Sequence, residues 1–212
     1  MRLRSFWLKK VSKKYIKVKR ILDFSISLIV IILLCPLMLS ICILIKLTSK
    51  GPVLFKQKRF GKDKKFFEIM KFRTMRVDTP NDVPTHLLAN PRDYITPIGR
   101  FLRKTSLDEL PQLFQVLKGD MAIVGPRPAL WNQYDLMEER DKGNSNKILP
   151  GLTGWAQIHG RDQINIEEKA KLDNFYADNM GLMIDIKIML CTVVSVMWHD
   201  GVLEGGTETQ NE

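Results

Sequence analysis

From Phe24 through Ile45 the chain runs for 22 residues without a charge, reading FSISLIVIILLCPLMLSICILI. At about 1.5 Å per residue such a helix is long enough for a hydrocarbon core near ~30 Å, so the rest of the chain has to fold beside a membrane. The run is longer than the core of a cleavable signal, and no small-residue cleavage site follows it. Its flanks are basic on both sides. Arg2, Arg4, Lys9, Lys10, Lys13, Lys14, Lys17, Lys19 and Arg20 precede it; Lys46, Lys50, Lys56, Lys58, Arg59, Lys62, Lys64 and Lys65 follow. Positive residues favour the cytoplasmic side, so both ends ask for the same face. Pro36, near the centre, removes a helical hydrogen bond and breaks an ordinary helix interior at a cost of ~3 kcal/mol. Nearby Ser and Cys side chains can re-satisfy the freed backbone groups. These features point to a re-entrant membrane helix over 21–47. A kinked spanning helix is the other reading the residues leave open.

The remainder has room for one core. The chain has 212 residues, 45% apolar and 26% charged, which excludes disordered, collagen-like and low-complexity classes. Charge is unevenly placed: residues 1–76 hold 20 basic and 3 acidic side chains, a balance of +17, and residues 77–212 hold 13 and 20, a balance of −7. A basic front third suits an anionic surface or substrate. Cys35, Cys42 and Cys191 are too dispersed for a disulfide framework or a zinc site, which fits a reducing, cytoplasm-facing environment. His86, His159 and His199 are equally scattered and read as structural or solvated.

After the breaker Gly51-Pro52, VLFKQKRFG and KFFEIMKFRTM read as a β-hairpin turning at Gly61-Lys62-Asp63. Residues 77–98 carry Pro80, Pro84, Pro91 and Pro97 and read as a long functional loop. Helices are expected over 98–104, 107–118, 130–142, 166–179 and 183–198, with MAIVGPRP an apolar stretch and PGLTGWAQIHGR rich in turns. On the last helix Ile184, Ile188, Cys191, Ser195 and Trp198 approximate one face. Met183, Ile186, Met189, Leu190, Val193, Val194 and Met197 widen the apolar surface, as in a core helix or one lying in a membrane interface. The fold class is α+β: a basic segment 1–20, the re-entrant helix 21–47, a compact and mostly helical cytoplasmic unit 48–200 with a short hairpin and amphipathic interfacial helices, and a polar tail 201–212.

No GxxxxGK[ST], GxGxxG or HExxH pattern occurs, which leaves the common nucleotide hydrolase, dinucleotide and zinc protease readings without support. The adjacent carboxylates Asp108 and Glu109 stand out. Ser106 with Glu109 has the spacing of a capping box, and acids suit a first helical turn. The same pair also suits chemistry at phosphorus. Mg²⁺ takes one or two carboxylates plus phosphates and water, and a carboxylate can attack phosphorus to form an acyl phosphate. Lys71, Arg73, Arg103 and Arg127 are candidate partners for the phosphate oxygens. Arg127 stands between two prolines in Gly125-Pro126-Arg127-Pro128.

KFRTM (71–75), TSLDELPQLFQVLKGDMAIVGPRP (105–128) and PGLTGWAQIHGR (150–161) follow in this order after a basic N-terminus and an apolar run with a central proline. Together they resemble the monotopic phosphoglycosyl transferases of bacteria in their small catalytic form, over about Lys19 to Gly201. The resemblance implies transfer of a sugar 1-phosphate from a UDP-sugar to polyprenyl phosphate, usually undecaprenyl phosphate. The products are the polyprenyl diphosphate sugar and UMP, as in the priming step of capsule or exopolysaccharide synthesis at the cytoplasmic face of the inner membrane. It further implies Asp108 as nucleophile and Glu109 as Mg²⁺ ligand beside it. Lys71 and Arg103 would contact phosphate, and Arg127 and Arg161 would hold the donor. The anionic membrane surface is an implied partner, nucleic acid is not, and downstream glycosyltransferases are candidate partners. The family commonly has Ser before the kink proline, where this chain has Cys35-Pro36, so the kink would rest more on the proline. Residues 126–144 resemble members that handle N-acetylated 6-deoxysugars such as N-acetylfucosamine. A basic, membrane-tethered anion-binding protein without catalysis is the competing class. The lack of a nucleic-acid module in the first third and the acidic back half argue against a polyanion partner.

Overall fold

The structure, a computed structural model, describes residues 13–79, 93–160 and 164–198. Residues 1–12, most of the proline-rich loop with His86, Arg161, His199 and the tail 201–212 lie outside the described residues, as does the side chain of Trp198.

The apolar run lies within α1, Lys13–Thr48, a single 36-residue helical segment that passes through Pro36. It is the one helix among the described residues long and apolar enough to cross a membrane. Its two ends pack differently from its middle. Lys19, Asp23 and Ser27, spaced one turn apart, are buried at the first end, and Met38, Ile41 and Ile45 at the second. None of residues 28–37 is buried.

At the first end, Lys19 Nζ and Tyr15 Oη reach Asp185 Oδ2 at 2.7 and 2.8 Å, and Tyr176 Oη holds Asp185 Oδ1 at 2.7 Å. Arg20 donates to the carbonyls of Val116 and Leu117 at a helix C-terminus, where a cation suits the dipole. At the second end, Met38, Ile41 and Ile45 form a cluster with Phe72 and Leu102, with Leu107 and Leu110 packed against it. The turn at 107–110 therefore rests on α1.

The hairpin forms as read: β1, Leu54–Phe60, pairs antiparallel with β2, Phe66–Phe72, from Leu54↔Phe72 to Phe60↔Phe66. Strand alternation puts Phe55, Gln57 and Arg59 on one face with Phe67, Ile69 and Lys71. Asp63 and Lys64 take positive φ in the turn. α2, Pro97–Lys104, starts where Thr96 accepts from Gly99 N at 3.0 Å and Pro97 occupies the first turn, where its missing N–H costs nothing.

The expected helix over 107–118 is divided. A 3₁₀ turn, Leu107–Glu109, is followed by Pro111 and then α3, Gln112–Lys118, which ends on Gly119 at φ 98°. MAIVGPRP and PGLTGWAQIHGR also hold more order than their composition suggests. β3, Ala122–Val124, pairs in parallel with β4, Gly151–Thr153. A Cβ on Gly151 would stand 2.0 Å from Gly125 N, so this contact admits glycine only. α4, Tyr134–Asp141, is shorter than expected; α5, Ile166–Asn179, and α6, Leu182–Trp198, agree closely with the sequence reading.

The main core gathers Ile69, Val116, Met121, Ile123, Val124, Tyr176 and Ile188 from β2, α3, β3, α5 and α6. α6 buries Asp185 and Ile188 and leaves Met183, Leu190, Val193 and Val194 exposed. Leu102 is fully buried between β2 and α1. Leu102→Ala is expected to cost ~2–5 kcal/mol of unfolding free energy, read as a lowered melting temperature of purified protein.

Candidate active site

Two elements deliver the acidic pair. α2 is pinned to the segment just after β2 by Thr96 N to Thr74 O at 3.0 Å, and Gly99 lies so close to Thr74 that a Cβ would meet its carbonyl oxygen at 2.0 Å. Arg103 Nε, on the next turn of α2, donates to Thr74 Oγ1 at 2.9 Å. The chain then reverses at Ser106, whose φ of 55° and ψ of 15° are left-handed, a conformation that costs a non-glycine residue ~1–3 kcal/mol.

The capping box expected here is not made. Ser106 contributes no side-chain cap, and only its carbonyl accepts from Glu109 N, at 3.2 Å. With no side-chain bond from Ser106, a capping box does not explain the two carboxylates.

Asp108 is buried, 6% exposed, on the turn between Leu107 and Glu109. Burial pushes its carboxyl up to about 6, and the charge of Glu109 adds to this; Lys71, Arg103 and Arg127 oppose it. Lys71 lies over the Phe55 ring, 5.5 Å from its centroid. Burial pulls its ammonium down to about 8, with Arg103 and Arg59 acting in the same direction and Asp108 and Glu109 against it. Arg127 Nη2 pairs with Glu109 Oε1 at 3.0 Å. The structure thus brings Asp108, Glu109, Lys71, Arg103 and Arg127 into one electrostatic cluster. Arg161 lies outside the described residues.

Arg73 belongs elsewhere. Its guanidinium donates to Lys50 O at 2.6 Å and to Ser49 O and Oγ at 3.0 and 2.7 Å, closing the C-terminus of α1. Lys71 and Arg73 are two apart in sequence, and the strand ends between them, so one faces the carboxylates and the other α1.

Sequence reasoning missed other contributors. Arg59 acts electrostatically on Lys71 and donates through Nη1 to Pro128 O at 3.1 Å. The strand period contained this signal, since Arg59 and Lys71 share the inward face. The Arg140–Asp173 pair, with N–O distances of 2.6 and 3.0 Å, supports the Arg127 backbone from beneath, and nothing local announces a partnership across 33 residues.

Two adjacent carboxylates suit a divalent ion that brings its other ligands from phosphate and water. Among the described residues no group of three or more His, Cys, Asp and Glu side chains converges, and Asp108 and Glu109 are the adjacent carboxylates that would hold such an ion. Burial is the main cause of the raised Asp108 value, and the smaller contribution from Glu109 is the one a cation beside the pair would offset.

A sequence profile described as bacterial sugar transferase matches residues 14–199. An uncharacterized sugar transferase of Bacillus subtilis (strain 168), EpsL, is 39% identical over 184 residues, covering 87% of this chain and 89% of that protein. The UDP-glucose:undecaprenyl-phosphate glucose-1-phosphate transferase of Escherichia coli (strain K12) is 39% identical over 183 residues, 82% of this chain and 39% of that protein. The undecaprenyl-phosphate galactose phosphotransferase of Salmonella typhimurium is 37% identical over 199 residues, 86% of this chain and 41% of that protein. The chain spans nearly all of the first relative and less than half the length of the other two.

Proposed function

Because the chain belongs to the bacterial sugar transferase family, we propose that it transfers a sugar 1-phosphate from a UDP-sugar to undecaprenyl phosphate, the priming step of surface glycan synthesis. The observation that carries this reading is the buried Asp108 carboxyl set beside Glu109 among Lys71, Arg103 and Arg127. A carboxylate held out of water is a stronger nucleophile than a hydrated one, and the cations are placed to offset phosphate charge as the bond forms.

In the first step an Asp108 oxygen attacks the β-phosphorus of the donor. The bond from that phosphorus to the bridging oxygen breaks, UMP leaves with the electron pair, and an aspartyl phosphosugar remains. In the second step a phosphate oxygen of the lipid attacks the same phosphorus, the acyl–phosphate bond breaks, and the Asp108 carboxylate is regenerated. Lys71 and Arg103 would balance charge on the transferred group. Arg127, now paired with Glu109, would turn to the donor diphosphate. Mg²⁺ held by Asp108 and Glu109 would supply further charge neutralisation at the diphosphate.

Released UMP, measured with undecaprenyl phosphate, Mg²⁺ and a panel of UDP-sugars, tests the reading; silence across the panel would refute it. Relatives named for glucose, galactose and N-acetylgalactosamine define the panel, with UDP-N-acetylfucosamine as the 6-deoxy member. EDTA is expected to stop turnover and added Mg²⁺ to restore it. Undiminished rates in EDTA would remove the metal from the mechanism.

The lipid acceptor requires the site to stand at the bilayer, and α1 supplies the means. Both its ends are seated on one domain, its middle has no buried residue, and both flanks are basic. The segment would enter the cytoplasmic leaflet of the inner membrane and return, bending at Cys35-Pro36, where the proline lacks the N–H that would bond the Ile32 carbonyl. The exposed apolar side of α6 would lie in the interface beside it. Single cysteines at the exposed positions 17 and 50, in a background without the three native ones, are expected to label from the cytoplasmic side only. Labelling from opposite sides would sink the re-entrant form, and in Pro36→Ala the two ends are expected to separate.

A further inference from the structure

The backbone that carries Arg127 is held at four successive carbonyls. Pro126 O accepts from Gly151 N at 2.9 Å, Arg127 O from Arg140 Nη2 at 2.9 Å, Pro128 O from Arg59 Nη1 at 3.1 Å, and Ala129 O from Phe60 N at 2.9 Å. Two of the four donors are side chains, and each is itself oriented. Arg140 lies on Asp173 Oδ2 through Nε at 3.0 Å and Nη2 at 2.6 Å; Arg59 Nη2 lies on Gln57 Oε1 at 2.7 Å. The donors come from β1, α4 and β4, so no single element fixes this segment.

The Arg140–Asp173 pair is almost wholly out of water, with side-chain exposures of 4% and 1%. Desolvation makes such a pair a poor source of net stability, and apolar residues of similar size often serve packing as well or better. What they cannot do is donate to a carbonyl. We propose that Arg140, oriented by Asp173, and Arg59 are positioning residues that hold the Arg127 backbone so that its guanidinium stands at Glu109. The kinetic consequence rests on the transferase reading above; the geometric one does not.

The test compares full-length Arg140→Met/Asp173→Leu and Arg59→Met proteins, each alone and combined with Arg127→Ala. The neutral pair is expected to keep its melting temperature and to lose ~10-fold in kcat for UMP release, the scale at which small misplacements act. In the Arg127→Ala background the further loss from the neutral pair is expected to stay within ~2-fold, because residues acting through one group are not additive. An unchanged kcat in the folded neutral pair, or its full further loss on top of Arg127→Ala, overturns the proposal. Arg59 is half-buried and also bears on Lys71, so if the neutral pair fails to fold Arg59→Met is read through the Arg127 guanidinium signal instead.

A second readout needs no substrate. The ¹⁵N guanidinium signal of Arg127, assigned by its loss in Arg127→Lys, is expected to shift or broaden in Arg59→Met and in whichever Arg140 variant folds. An unmoved signal overturns the positioning role. Wild-type protein that releases no UMP from any donor would defeat the transferase reading instead, and the guanidinium signal would still decide this one.

Discussion

Asp108→Asn is expected to abolish turnover and, with it, the covalent adduct. With UDP-sugar and Mg²⁺ but no lipid acceptor, wild-type protein should release at most about one UMP per site and gain the mass of one phosphosugar on the peptide carrying Asp108. The amide has no anionic oxygen to attack with, so both signals should disappear. Folding should survive, and the pKa shift gives the sign. Asp108 is raised to about 6 from an unperturbed value near 3.8, so between those values the native state binds the extra proton. Its contribution to stability is therefore present below the lower value and is lost as pH rises to about 6. At neutral pH the ionised carboxyl is a burden on the fold, and the melting temperature of Asp108→Asn is expected not to fall. Efficient transfer with no adduct under rapid quench, and initial rates that fit only a ternary complex, would remove Asp108 as nucleophile.

Lys71→Met is expected to lower kcat by ~10²-fold or more, the loss found when one preorganised charge-stabilising donor is removed from an active site. Lys71 has a second signature. Its ammonium is pulled down to about 8, so it discharges above that pH while Asp108 becomes a nucleophile only above about 6. The pH profile of kcat/KM should be a bell with apparent limbs near those two values, which belong to the interacting cluster as a whole. Lys71→Arg keeps the charge at all accessible pH and should flatten the alkaline limb while preserving the acid one. An alkaline limb that persists in Lys71→Arg would assign that titration to another group.

Much of this was legible in the order of residues. A long uncharged run needs no tertiary information to announce one long apolar helix, because its composition is local to the segment. α5 and α6 were legible for a related reason: Asn165 accepts from Glu168 N at 2.8 Å, a cap written three residues apart, and the buried side of α6 follows the helical period. The acidic pair and the cations Lys71, Arg103 and Arg127 were legible as candidates, because hard oxygen ligands beside fixed positive charge are what phosphorus chemistry requires.

Tertiary structure decided which candidates meet. Lys71 and Arg73 are interchangeable as composition, yet Arg73 closes the end of α1 while Lys71 turns to Asp108. Ser106 and Glu109 have capping spacing, yet Ser106 is left-handed and its side chain makes no cap, while Leu107 and Leu110 just after it pack on α1. β3 and β4 are three residues each and lie 26 residues apart at their nearest ends, too short to announce themselves and stable only as a pair. Local patterns carry information about local energies such as burial period, caps and charge. The placement of Arg127 depends on donors from β1, α4 and β4 that converge only when the chain has folded, and contacts of that separation leave no period in the sequence.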